Sequence, residues 1–186
     1  MKRLRWVELE EWTEARVART LIHSQLFSRQ LLIVPNTNWA GHECDLLAVD
    51  PRCMKLVEIE VKISRADLAA DVKKDKWWDR KGWDYARGTW AAEKRREHPL
   101  KIWKHYYAMP APIWREAGAD KVPAASGIIL LYADNGRGKP SAELVRRCKP
   151  GKHARAITAQ DALDLARLAG LRMWDALIRE ENRDGK

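Results

Sequence analysis

The stretch KLVEIEVKIS, residues 55–64, decides how the rest of the chain is read. Val57, Ile59, Val61 and Ile63 alternate with Leu56, Glu58, Glu60, Lys62 and Ser64. A strand here turns an apolar row to one side and a largely ionic row to the other. Two readings of the ionic row stand side by side. It is the solvated face of a half-buried sheet, with cross-strand ion pairs, or it is part of a reactive site.

The residues before it bear on that choice. HECDLLAVD (42–50) reads as a second strand, and Pro51 and Arg52 as the tight turn that closes a hairpin. Adjacent strands allow Asp45 to sit beside Glu60. Two carboxylates held together on a sheet repel each other unless positive charge lies between them. Mg²⁺ (or Mn²⁺) suits such a place, because it takes a few hard oxygen ligands and keeps several waters. Lys62 projects on the same side as Glu60, where it would hold a metal-bound water and stabilise charge developing on a phosphate. Asp45, Glu60 and Lys62 are therefore the candidate set for phosphodiester hydrolysis. Glu43 and Glu58 share faces with the two carboxylates and are candidates for further ligands. The isolated histidines His23, His42 and His105 carry no such pattern.

Outward from the hairpin, residues 6–26 read as a helix whose stripe of Val7, Glu10, Glu14, Ala18, Leu21 and Gln25 mixes acidic and apolar positions. QLLIVP (30–35) reads as a strand ended by its proline, and NTNWAG (36–41) as a turn. SRADLAADVKKDKW (64–77) reads as a helix capped by Ser64, with Asp67 in its first turn. Strands are expected at HYYAMP (105–110), GIILLYAD (127–134) and SAELVRRC (141–148), with a short helix before Pro123. Thr158 with Asp161 caps a last helix, in which Gly170 is a weak point. This order predicts one α/β domain over residues 1–186 with a mixed sheet.

The chain has 186 residues and a formal net charge of +9. That excess favours an anionic partner, nucleic acid first. Its three cysteines form no CxxC or Cys/His cluster, so neither a disulfide framework nor a zinc site is expected. No apolar run is long enough for a bilayer and the N-terminus lacks an apolar signal core, so a cytoplasmic protein without membrane contact is expected. Ten tryptophans are present, many in a basic insertion at about 78–99 and its flanks. Lys73, Lys74, Trp77, Trp78, Arg80 and Lys81 are candidate nucleic-acid contacts there, with Arg146 and Arg147 in a second cluster. Cations attract phosphates and aromatic faces stack on unpaired bases. The alternative is that most of these tryptophans form a satellite core rimmed by solvated charge.

The segments HECDLLAV and VEIEVKISRAD resemble the PD-(D/E)XK nuclease superfamily: Asp45 matches its first acidic position, Glu60 the second and Lys62 the lysine. Cys44 stands where the motif has proline. The resemblance implies a restriction-endonuclease-like mixed β-sheet flanked by helices. It also implies a metal held by Asp45, Glu60 and the backbone carbonyl of Val61, with Lys62 orienting the attacking water. Glu14, with Glu10 second, matches the glutamate that many members carry on the preceding helix. SRADLAADVKKDKW, HYYAMP and PAASGIILLYAD further resemble the MmcB-type family of small bacterial DNA-repair-associated proteins. That likeness covers about residues 10–148, apart from the insertion. The expectation is a Mg²⁺-dependent nuclease acting on DNA, single-stranded or branched forms included, with a homodimer as one arrangement. The alternatives are a non-catalytic nucleic-acid-binding accessory protein that keeps the fold, and an RNA-processing protein.

Overall fold

The computed structural model describes residues 12–79, 82–84, 89–90, 93–117, 121–133 and 139–184. Glu10, Arg80 and Lys81 lie outside the described residues.

The segments 42–50 and 55–64 form the expected hairpin. Strands β2 (Cys44–Asp50) and β3 (Lys55–Val61) pair antiparallel, with Leu46 opposite Ile59 and Leu47 opposite Glu58. Met54, with φ of 51°, takes the left-handed conformation needed to close the turn. Strand β1 (Leu32–Thr37) pairs antiparallel with β2 at the sheet edge. The sequence predicts that Pro35 ends this strand, yet β1 runs on to Thr37. An edge strand tolerates proline, whose missing N–H costs no ladder bond on the open side.

After β3 the chain crosses over through helix α2 (Arg65–Asp71) and returns as β8 (Ile102–Pro110), parallel to β3. A parallel partner requires such a crossover. Between α2 and β8 lie a 3₁₀ turn (Asp75–Trp77) and four two-residue strands, β4 (Trp78–Asp79), β5 (Trp83–Asp84), β6 (Thr89–Trp90) and β7 (Lys94–Arg95). They pair β4 with β7 and β5 with β6, away from the main sheet. Helix α3 (Ala111–Ala117), β9 (Gly127–Tyr132) and β10 (Ser141–Arg146) follow. The main sheet has six strands in the order β1-β2-β3-β8-β9-β10 and is mixed.

Helices cover both faces. Helix α1 (Glu14–Ile22) is capped by Thr13, and its Val17 and Leu21 pack with Val57, Ile59 and Val61. The other face carries two apolar patches. Leu68 of α2, Trp77, Tyr107, Met109, Ile113 and Ile128 form one. Val34, Leu47, Val49, Leu56, Ile102 and Leu165 form the other, under helix α4 (Ala159–Asp184). The predicted α4 cap is present, Thr158 Oγ1 donating to Asp161 Oδ2 at 2.7 Å. No helix among the described residues is long and apolar enough to cross a membrane.

Gly127 opens β9 where space is closed: a Cβ there would collide with the Tyr106 ring and lie 2.9 Å from the Arg146 carbonyl oxygen. Gly127→Ala is expected to destabilise the protein by about 1–3 kcal/mol, read as a lower urea midpoint at unchanged slope. An unchanged midpoint would show that Tyr106 moves aside freely.

Candidate functional site

The ionic row of β3 is not solvated. Glu58 and Glu60 are fully buried and Lys62 nearly so. They lie between the two apolar patches of one face, flanked on β8 by His105 opposite Glu58 and Tyr107 opposite Glu60. Buried charge persists only when paired, and the local sequence supplies the partners. Ser64 caps α2 directly after the strand, its Oγ accepting the Asp67 N–H at 3.1 Å. The helix therefore turns back over the row and sets Asp71 at its last residue. The 3₁₀ turn then folds Lys76 inward, and the fully buried Trp77 anchors it by donating Nε1–H to Asp71 Oδ2 at 3.0 Å. Tyr107 donates its hydroxyl to the same oxygen.

Lys76 Nζ lies 3.0 Å from Glu58 Oε1 and 2.7 Å from Glu60 Oε1. Lys62 Nζ lies 2.9 Å from Glu60 Oε2 and 3.2 Å from Asp71 Oδ1. Lys74 closes the group from the solvent side, 3.2 Å from Asp71 Oδ1 and 3.5 Å from Glu60 Oε2, with 43% of its side chain exposed. Asp45 is half-buried at the start of β2 and accepts the Val61 N–H on Oδ2 at 2.7 Å. His42 Nε2 lies 3.0 Å from both oxygens of Glu58.

The electrostatics follow from this packing. Burial acts to raise the Glu60 and Asp71 carboxyls, but Lys76 and Lys62 outweigh it and hold both below the usual range. Burial acts to lower the Lys62 and Lys76 ammonium groups, and the carboxylates around them reverse the direction. Asp45 differs. Burial, with Glu60 adding repulsion, pushes its carboxyl up to about 6. The buried His105 goes down to about 4, chiefly through burial, and stays neutral with Nδ1 3.0 Å from Ser126 Oγ.

Asp45, Glu60 and Lys62 thus occupy one place, as the sequence predicts. Glu58 joins them, while Glu43 is exposed. Glu14 is exposed on the first turn of α1, and α1 packs on the opposite face of β3. Among the described residues no contact links Glu14 to Glu60. Several candidate nucleic-acid contacts are engaged elsewhere. Trp77 is sealed in the core and has no face to offer a base. Trp78 is half-buried against the same patch. Lys74 is committed to the carboxylates, whereas Lys73 and Arg147 are exposed. Arg146 donates to the Ser126 and Pro123 carbonyls at 3.0 Å each and lies over Trp114. Asp71 and Lys76 were missed as site residues. The signal available for Asp71 is that it ends the two-turn helix capped at Ser64, directly after the acidic strand, with Lys76 in the 3₁₀ turn that follows.

No protein-family model matches the chain, and no curated protein does. A solved protein of unknown function from Silicibacter pomeroyi is similar in structure, with a TM-score of 0.55 and 19% sequence identity over 95% of this chain and 97% of that one. The likeness is one of fold.

Two substitutions test the electrostatics. Lys76→Met leaves Glu58 and Glu60 short of a counter-charge and is expected to cost about 3–5 kcal/mol by denaturant unfolding. A cost under about 1 kcal/mol would show that the network is not held by Lys76. Asp45→Asn keeps the acceptor for Val61 and removes a carboxylate whose ionisation is disfavoured in the fold. A carboxyl raised in the folded state destabilises that state increasingly as pH rises from the unfolded value through about 6. Asp45→Asn is therefore expected to raise the melting temperature at pH 8 and leave it nearly unchanged at pH 4; an equal effect at both would contradict the assignment.

Proposed function

We propose that the protein is a metal-dependent phosphodiesterase acting on nucleic acid, DNA first, with a restriction-endonuclease-like sheet. One observation carries the reading: Asp45 and Glu60 stand on adjacent strands with Lys62 Nζ 2.9 Å from Glu60, in a helix, three strands, helix order that agrees with the resemblance in the sequence.

The residues fit a hard divalent cation. Glu60 Oε1 and Asp71 Oδ1 are buried oxygens satisfied by ammonium groups alone, Asp71 Oδ1 lying 3.2 Å from Lys62 and from Lys74. Glu60 Oε1 touches Lys76 without hydrogen-bond alignment. Asp45 uses one oxygen for the Val61 N–H, and burial, with repulsion from Glu60 added, raises its carboxyl to about 6. Added positive charge would offset both the burial and the repulsion. Lys74 is the half-exposed member with the longer contacts, so it is the group a cation would displace. Asp45, Glu60 and the Val61 carbonyl would hold the ion, and Asp71 would keep Lys62 in place. The ion would supply Lewis-acid stabilisation of the phosphate and a more acidic bound water. Lys62, fixed by Glu60 and Asp71, would orient the attacking water and meet the charge that develops on the phosphoryl oxygens.

A second reading, a nucleic-acid-binding protein that keeps the fold without cleaving, is favoured by the ammonium groups that already neutralise Glu60. Mn²⁺ titration over labelled single-stranded, duplex and branched DNAs, with an RNA arm, separates the two. Wild-type cleavage is expected to fall at least about a hundredfold in Glu60→Gln and in Lys62→Ala. Lys74→Met is expected to tighten Mn²⁺ binding, because it removes the competing cation. Tight, salt-sensitive binding without cleavage in wild type would select the accessory reading, and cleavage surviving Glu60→Gln would remove the site from the reaction.

A further inference from the structure

The same buried face carries a second donor set of different chemistry. His42 Nε2, Cys44 Sγ and a Glu58 oxygen all lie within 4.8 Å of one another. His42 precedes β2, Cys44 opens it and Glu58 faces them from β3, so the hairpin itself assembles the group. Cys44 and Glu58 are fully buried, and His42 is 14% exposed at the solvent side. We propose that His42, Cys44 and Glu58 form a transition-metal site that takes Zn²⁺, distinct from the hard-cation position at Asp45 and Glu60.

The donor chemistry selects the ion. Thiolate and imidazole favour Zn²⁺ over Mg²⁺, and a carboxylate completes a common three-ligand set with the fourth position open to water. Bonds of about 2.0–2.3 Å place tetrahedral donors about 3.3–3.8 Å apart. His42 Nε2 and Glu58 already stand 3.0 Å apart. Cys44 therefore has to approach by no more than about 1–1.5 Å, and His42 sits in a loop that can accommodate it. Lys76 holds Glu58 through Oε1 only, which leaves Oε2 for a metal.

Charge points the same way. Among the described residues of this face, four buried or half-buried carboxylates (Asp45, Glu58, Glu60 and Asp71) and the more exposed Asp67, 3.6 Å from Lys62, meet three ammonium groups (Lys62, Lys74 and Lys76). Negative charge is in excess there. A divalent ion that takes Cys44 as its thiolate, releasing one proton to solvent, adds one net positive charge against that excess. The spacing gave no warning, because two donors lie in a loop and strand start and the third comes from across the hairpin.

The site is independent of phosphodiester cleavage and is tested without it. Co²⁺ is titrated into the full chain and the thiolate-to-cobalt charge-transfer absorption is followed. One equivalent is expected to produce the band, and Zn²⁺ to abolish it. Cys44→Ser is expected to lose the band while Cys53→Ser keeps it, and His42→Ala to raise the Co²⁺ dissociation constant by about tenfold or more. No band in wild type, or a band that survives Cys44→Ser, overturns the site. X-ray absorption of the Zn²⁺-loaded wild type guards against a variant that fails to fold. One sulfur among nitrogen and oxygen neighbours supports the site, and a shell without sulfur overturns it.

Discussion

The Lys76 ammonium, buried between Glu58 and Glu60, is the contact on which the rest of this face depends. Two carboxylates on one strand face cannot be taken out of water unless cations follow them. Lys76 can reach them only if α2 ends at Asp71 and the 3₁₀ turn folds in beneath Trp77. Asp71 ties the arrangement together: one of its oxygens accepts from Trp77 and Tyr107, and the other faces the three ammonium groups. The ionic seam therefore fixes the crossover, and the crossover fixes the parallel strand β8. Apolar side chains of similar size would hold such a seam at least as well. Under the proposed function, that charge serves the reaction rather than stability.

What was legible in the sequence was local. Alternation in residues 55–63 and the apolar run of 44–50, with a turn between, set a hairpin, in which Asp45 reaches the N–H of Val61, next to Glu60. Ser64 and Thr158 announced their helices because capping is a short-range interaction. The fate of the ionic face was not legible. Whether Glu58 and Glu60 meet water depends on where α2 docks, and no strand pattern encodes that. For the same reason Trp77 read as a surface aromatic among lysines, although its neighbours in space are Tyr107, Met109 and Ile128. Glu14 followed helical spacing correctly but lies on a helix packed against the other side of β3. Lys74 and Arg146 looked like phosphate contacts because charge alone carries no information about partners.

Placement of the lysines also changes how the net charge of +9 is understood. Lys62, Lys74 and Lys76 are balanced by neighbouring carboxylates and contribute little field outside the molecule. The excess therefore lies on outward-facing groups such as Lys73, Arg147, Lys149, Lys152 and Arg155, all exposed. Under the proposed function, those groups would draw in a polyanion. The buried set would act on it only after Lys74 gives way.

The most direct test of that claim is structural: crystals of the wild-type protein grown with saturating Mn²⁺, read by anomalous scattering. The account predicts a single strong peak liganded by Asp45 and Glu60, with Lys74 withdrawn into solvent and Lys62 still on Glu60 and Asp71. Lys74 remaining on Glu60 and Asp71, with no peak at Asp45, would contradict it and leave the seam as a structural ion network.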